Sequence, residues 1–312
     1  MLYVVGLGLG DERGVTVRGL DAVRRCARVY MEAHTALLAL AVDDHPSSRL
    51  AKLVRSRSFA LPTRRSLKQR LRCFIALQEK LYGKEVVIVA GREMVDGEDR
   101  SDRILREATG ADVAFLVIGH PFGSDEPSGK TTHTDLVLRA KKLRVGVKVI
   151  DSASVLNAVG ACGLQLHRYG EAITVPFFTE TCKRDHFYQA IVNNRWLGLH
   201  TLCLLDIHVK GPVSEYLCRG NKAYEPPRFM TVNTAISQLL EVLEMRGEPE
   251  PAYDEDSLCI GVARLGSDDE KIVAGPMGKL IDLDFGPPPH CLVIVGETTL
   301  VEEEMLEFYM IK

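Results

Sequence analysis

The sequence predicts an α/β protein of two domains, and three observations carry that reading. Strands and helices alternate through the first half, the pattern of a parallel sheet. In the second half strands follow one another with fewer helices between them, as in a mixed α+β domain. The chain has 312 residues, about twice a common single-domain length.

Taken in order, Leu2–Val5 is a short apolar strand, Gly6-Leu7-Gly8-Leu9-Gly10 a flexible turn, and Thr16 the N-cap of a helix. From Val17 onward Leu20, Val23 and Ala27 recur at helical spacing. Arg28–Glu32 is the second strand; Glu85–Ala90, Val113–Ile118 and Val145–Ile150 are the next three. Helices are expected at Ser66–Leu81, Ser101–Ala108, Thr134–Leu143 and Ala153–His167. The boundary falls near Arg168-Tyr169-Gly170, where glycine is expected to end the preceding helix, giving domains 1–169 and 170–312. In the second, Ala172–Phe178 and Thr201–Val209 are strands around a helix near Asp185–Trp196. A long helix at Val232–Met245 and strands at Leu258–Arg264 and Cys291–Val295 follow.

Composition excludes several classes. Hydrophobic residues are 46% and charged residues 26%, so a core is available, and disordered, collagen-like and coiled-coil chains are ruled out. No apolar run approaches the roughly 18 residues of a membrane-spanning helix. The start, Met1-Leu2-Tyr3-Val4-Val5-Gly6, reaches apolar residues without a basic region, so an unprocessed, cytoplasmic protein is expected. Net charge is −3, yet Arg49–Arg72 carries nine Lys/Arg and no Asp/Glu. That basic segment suits a solvated insertion or an acidic partner; no aromatics interleave with it, so nucleic acid is not an expected partner. Eight cysteines without a CxxC spacing point to buried, reduced thiols.

Three segments are candidates for a ligand site. Gly6-x-Gly8-x-Gly10 after a strand lets backbone approach a ligand, but the third glycine comes one place early for a dinucleotide fingerprint, and Asp11-Glu12 sets negative charge where a pyrophosphate belongs. An NAD-dependent oxidoreductase therefore rests on the turn alone. Val117-Ile118-Gly119-His120-Pro121-Phe122-Gly123 closes a buried strand, where open α/β sheets bind ligands. Ser152-Ala153-Ser154-Val155-Leu156-Asn157-Ala158-Val159-Gly160 offers small side chains against which an adenosine-sized ligand can lie. There is no nucleophile elbow, no P-loop and no metal-ligand spacing, so no metal is expected.

Together these segments resemble the diphthine synthase family of diphthamide biosynthesis. The likeness lies in Met1–Asp11, Tyr30-Met31-Glu32-Ala33-His34-Thr35, Pro121-Phe122-Gly123, Thr131-Thr132-His133-Thr134-Asp135-Leu136 and Asn157-Ala158-Val159-Gly160. In the second half it lies in His200–Ile207, Tyr224-Glu225-Pro226-Pro227-Arg228 and Arg264-Leu265-Gly266. It spans nearly the whole chain, apart from insertions at about 41–77 and 124–130, and is similar to the eukaryotic branch.

The resemblance implies the two-domain tetrapyrrole-methylase fold (a class III S-adenosylmethionine methyltransferase), with S-adenosyl-L-methionine between the domains of a homodimer. It implies cofactor contacts at Leu9, His120, Gly123, Ser154, Val155, Leu205, Leu265 and His290. It also implies methyl transfer to the 3-amino-3-carboxypropyl-histidine of translation elongation factor 2, with a methyl ester formed in the eukaryotic branch. The family's loop carries Asp where this chain has His120, exchanging an acceptor-only group for an imidazole. An amine acceptor must shed protons, and His200, Glu32 and Tyr30 are the candidate bases. A non-catalytic S-adenosylmethionine-binding scaffold and a tetrapyrrole methyltransferase are the alternatives.

Overall fold

A computed structural model describes residues 1–9, 12–32, 67–89, 98–122, 132–179, 183–208 and 228–312. The described residues divide into two units, the first ending at Val155 and the second beginning at Leu156. Most of Arg49–Arg72 lies outside the described residues, as do Gly10, Asp11 and Gly123.

In the first unit strands and helices alternate: β1 (Leu2–Gly6), α1 (Val17–Arg25), β2 (Arg28–Glu32), α2 (Leu67–Tyr82), β3 (Val86–Val89), α3 (Glu98–Gly110), β4 (Val113–Val117), α4 (Thr132–Lys142) and β5 (Val147–Ile150). The strands pair in parallel in the order β3-β2-β4-β1-β5. Central β4 is buried along its whole length, as a strand covered on both faces must be, which is why its sequence is an unbroken apolar run. Period-two alternation assigns the faces. Val5, Val29, Met31, Ala114 and Leu116 pack with Ala22 and Val23 of α1 and Tyr82 of α2. Leu2, Val4, Tyr30, Phe115 and Val117 pack on the opposite face with Ile104 and Leu105 of α3 and Leu136 and Ala140 of α4. Thr16 caps α1 as expected, its hydroxyl accepting from Gly19 N–H at 3.1 Å.

The second unit contains β6 (Ile173–Val175), α6 (Tyr188–Trp196), β7 (Thr201–Leu205), β8 (Ile207–His208), β9 (Arg228–Phe229), α7 (Val232–Arg246), β10 (Leu258–Ala263), β11 (Lys271–Pro276), α8 (Met277–Leu280), β12 (His290–Ile294) and α9 (Leu300–Glu307). The short α5 (Val155–Ala158) opens it across the border of the two units. The main sheet runs β11-β10-β12-β7-β6, antiparallel except for the β6–β7 pair. Val232, Ala235, Ile236, Leu239 and Val242 of α7 form the apolar face packed in its core.

Three expectations are corrected. The helix expected at Ala153–His167 is broken into α5, a 3-10 turn at Val159–Cys162 and another at Leu166–Arg168. The break comes at Gly163, not Gly170: Gly163 has φ +95°, a left-handed backbone that glycine adopts at no steric cost. The chain bends there so that Gln165 N–H reaches the Glu302 carboxylate at 2.9 Å. The strand expected at Thr201–Val209 is split at Asp206, whose N–H donates to Val175 and whose carbonyl accepts from Met230, diverting the chain into the β8–β9 ribbon. Two elements, β11 and α9, are not among the expectations. The edge strand β11 ends in Gly275-Pro276, and α9 is set by a capping box between Thr299 and Glu302 rather than by an apolar stripe on its buried side.

Candidate functional site

In the first unit the candidate residues gather at the carboxyl ends of β1, β4 and β5. Gly8 and Gly119 exchange backbone hydrogen bonds (3.3 and 3.0 Å), tying the turn after β1 to the loop after β4. Gly8 has φ +75°, and a Cβ there would lie 2.5 Å from the Gly14 carbonyl and 2.9 Å from the Ser152 hydroxyl. Ser152 in turn donates to the Gly14 carbonyl at 3.1 Å, so the segment after β5 holds the turn after β1. Leu9, Ser154 and Val155 sit directly on this backbone frame, Ser154 buried and Leu9 and Val155 half-buried.

His120 stands on the same rim. Its Nδ1 accepts from Phe122 N–H at 3.1 Å, so Nε2 carries the proton, and Nε2 lies 3.3 Å from Asp151 Oδ1. The imidazole's accepting nitrogen is therefore consumed inside the loop, and the carboxylate of this rim comes from Asp151.

In the second unit Leu205, Leu265 and His290 also share one rim. β7 and β12 are antiparallel with Leu204 opposite Cys291, and β10 and β12 are antiparallel with Ala263 opposite His290. The end of β7, the end of β10 and the start of β12 therefore coincide. Arg264, at φ +53°, buries its guanidinium beneath this rim, donating to Asp269 Oδ2 (2.8 Å), the Asp269 carbonyl (3.0 Å) and the carbonyls of Phe285 (2.8 Å) and Pro287 (2.6 Å). His290 Nδ1 accepts from Val232 N–H at 3.3 Å, and Nε2–H faces the carbonyls of Gly286 and Pro287, each at 3.1 Å. Burial pushes its pKa down to about 4, against the opposing pull of the Pro287 carbonyl and with help from the Arg264 charge. With both ring nitrogens used, His290 presents backbone rather than imidazole to a ligand.

The three candidate bases lie in different surroundings. Tyr30 is buried on the helix-facing side of β2, its hydroxyl donating to Glu107 Oε2 at 2.6 Å; burial, then the Glu107 hydrogen bond and charge, push it up to about 12. His200 is fully buried: Nδ1 accepts from Gly296 N–H at 2.9 Å and Nε2–H faces Glu302 Oε1 at 3.2 Å. Burial lowers its pKa, against the hydrogen bond and charge of Glu302. For Glu302 burial acts upward, but donors at Gln165, Thr299 and His200 overcome it and hold the carboxyl near 2. His200–Glu302 is thus a neutral imidazole on an ionised carboxylate, locking α9 to the start of β7. Glu32 closes β2 at the carboxyl edge, buried, with His133 Nε2 of α4 at 3.4 Å from Oε2.

The sequence alone does not single out Asp151, His133, Asp206 or Arg264 as site residues. Asp206 is placed at a strand end only by the structure, since the sequence reading sets it inside a continuous strand at Thr201–Val209. Among the described residues no cluster of His, Cys, Asp and Glu has metal-binding geometry, and no helix is long and apolar enough to cross a membrane.

Comparison with known proteins gives concordant matches. The family model of the Tetrapyrrole (Corrin/Porphyrin) Methylases matches residues 1–281. A probable diphthine methyl ester synthase of Arabidopsis thaliana is 53% identical over 313 residues, covering 100% of this chain and 99% of that protein. The diphthine methyl ester synthase of Homo sapiens is 45% identical over 315 residues, covering 100% and 95%. A crystal structure of diphthine synthase superposes with a TM-score of 0.68 at 26% identity, covering 99% of this chain and 95% of the other.

Proposed function

The chain belongs to the tetrapyrrole methylase family and, within it, to the diphthine methyl ester synthases; from that premise we propose how this S-adenosylmethionine-dependent methyltransferase of diphthamide biosynthesis binds donor and acceptor. The acceptor in this reading is the 3-amino-3-carboxypropyl-histidine of translation elongation factor 2, methylated on the amine and, as a methyl ester, on the carboxylate. The observation that supports it is that the expected cofactor positions gather at one rim of the sheet within each unit: in the first at the carboxyl ends of parallel strands, where open α/β sheets bind ligands, and in the second where β7 and β10 end and β12 begins.

The residues fit the donor. The rims offer apolar side chains (Leu9, Leu205, Leu265), small hydroxyls (Ser152, Ser154) and strand-end backbone, a donor set suited to an adenosine and a short amino-acid tail. The one guanidinium beneath the second rim, Arg264, is turned inward onto carbonyls, so it does not meet a sulfonium cation. The residues proposed for donor contact are, within the first unit, Leu9, His120, Ser154 and Val155 and, within the second, Leu205, Leu265 and His290; Gly123, also expected, lies outside the described residues. When bound, S-adenosylmethionine supplies a methyl group whose bond to sulfur breaks as the new N–C or O–C bond forms, the electron pair staying on sulfur.

The chain's own groups then have two roles, aligning the acceptor and receiving protons from its amine. A carboxylate acceptor needs no base. Of the three candidate bases we retain Glu32, which ends a strand at the carboxyl rim beside His133; Tyr30 and His200 are each held in hydrogen bonds inside the protein, and we assign them positioning roles.

The reading includes a cytoplasmic homodimer. On α9 the exposed Leu300, Val301, Met305 and Phe308 lie within about 140° of the helix circumference, opposite buried Glu302 and Leu306. That stripe suits a second copy, and sedimentation of Val301→Glu/Phe308→Glu would show a monomer if it is the contact.

The test of function is calorimetric titration with S-adenosylmethionine and S-adenosylhomocysteine, followed by mass spectrometry of elongation factor 2 after incubation with the enzyme. Saturable binding and added methyl groups are expected; binding without transfer would favour the scaffold, and neither would overturn the reading.

A further inference from the structure

Resting on that reading, we infer that Arg228 and Asp206 form the acceptor's recognition site, Arg228 taking the side-chain carboxylate and Asp206 the amine. Arg228 is exposed, and its guanidinium lies 4.5 Å over the centre of the Phe177 ring. Among the described residues no carboxylate and no carbonyl accepts from it, so a planar fork of donors is held by stacking alone. Guanidinium groups kept in this way suit bidentate binding of a carboxylate.

Asp206 is tied to the same aromatic residue. Its Oδ2 accepts from Phe177 N–H at 3.1 Å, while among the described residues Oδ1 has no hydrogen-bond partner. Both groups contact Phe177, and among the described residues no ion pair joins them. Met230 N–H donates to the Asp206 carbonyl at 3.0 Å, and Arg228 is two residues, roughly 7 Å, along the strand from Met230. A cation and an anion placed two residues apart on this ribbon suit a group carrying both charges on one carbon, as the 3-amino-3-carboxypropyl chain does.

The platform is rigid. Gln238 of α7 accepts from Phe178 N–H at 3.0 Å and donates to the Pro176 carbonyl at 2.7 Å, fixing the segment that carries Phe177. The pairing of Ile207 with Phe229 and of His208 with Arg228 fixes the backbone beneath the guanidinium. Asp206 follows Leu205 directly, so this pair borders the rim assigned to the donor. The arrangement also accounts for the split of the strand at Asp206: a continuous β7 would carry no ribbon to present Arg228.

The test uses the full-length enzyme saturated with S-adenosylhomocysteine, titrated with elongation factor 2 bearing either the 3-amino-3-carboxypropyl-histidine or its carboxamide counterpart. The wild-type chain is expected to prefer the carboxylate form about tenfold or more, and Arg228→Met to erase that preference. Asp206→Asn keeps an acceptor for Phe177 N–H, and is expected to raise the acceptor Kd roughly tenfold while S-adenosylhomocysteine affinity stays within about twofold. Equal affinity of Arg228→Met and wild type for the carboxylate form would overturn the inference and leave the proposed function standing. So would loss of S-adenosylhomocysteine binding by both variants, which would place the pair in donor binding or folding. Failure of the wild-type chain to methylate the factor would overturn both.

Discussion

The two rims, one in each unit, on which the expected cofactor contacts fall are held by different means. In the first unit the rim is backbone: Gly8 and Gly119 bond to each other, and the Ser152 hydroxyl clasps the Gly14 carbonyl. In the second it is side chain: Arg264 and His290 are buried and spend their polar atoms on carbonyls and amides of turns up to 58 residues away. In the first unit the turns after β1 and β4 bond to each other through glycine backbone. In the second, the long connection from β11 to β12 passes beside the end of β10, and Arg264 and His290 cross-link it. The first rim should therefore be sensitive to bulk and the second to charge and pH.

On the second rim the largest effect of a substitution is expected from Arg264→Met. It removes the buried donor of the Phe285 and Pro287 carbonyls and one partner of the half-buried Asp269, at a cost of about 2 to 3 kcal/mol in urea denaturation; a loss below about 1 kcal/mol would mean that the turns hold themselves.

The pH response comes next. His290 is neutral in the fold, with its pKa depressed to about 4 from an ordinary 6.5, so the unfolded chain takes up a proton that the folded chain refuses as pH falls below 6.5. Stability should fall by about 3 kcal/mol between pH 6.5 and 4 and then level off for this group. His200, also depressed, adds to the fall in the same direction, and the Glu302 contribution is lost between about 4.5 and 2. Urea denaturation followed by far-ultraviolet circular dichroism at each pH measures the fall. A slope between pH 6.5 and 4 that His290→Gln leaves unchanged would contradict the assignment.

Gly8→Ala sharpens the comparison from the other side. A side chain at φ +75° with Cβ 2.5 Å from a carbonyl oxygen should cost about 2 to 3 kcal/mol, independent of pH, and weaken S-adenosylhomocysteine binding. The smallest effect belongs to the exposed His120–Asp151 pair, where Asp151→Asn should change stability by less than about 0.5 kcal/mol. Its influence on cofactor affinity is a separate matter. Restoring the family's residue by His120→Asp alone would face two carboxylates across the loop, so His120→Asp/Asp151→His is expected to bind S-adenosylhomocysteine better than the single change, and calorimetry decides.

Much of this is legible in the residues. Strand β2 has the expected bounds Arg28–Glu32, and Thr16 is the expected cap, because period and capping are local properties. The order of motifs from Met1 to Gly266 carries the family. The stretch through Gly160 and Gly163 misleads because its small and apolar residues fit helical spacing, while the deciding contact, Gln165 with Glu302, spans 137 residues. His200 stands out by residue type, and its isolation comes from Glu302, 102 residues away.

What the sequence by itself determined is therefore the set of elements, the alternation that makes the first sheet parallel, and the membership of a methyltransferase family. These follow from periodicities and motifs contained in a few neighbouring residues. Only the tertiary structure decided that Asp151 faces His120, that Arg264 is turned inward while Arg228 is not, and that Tyr30 and His200 are locked within hydrogen bonds. The reason is that strand order and helix packing, rather than spacing along the chain, choose which polar groups meet and which are left to meet a ligand.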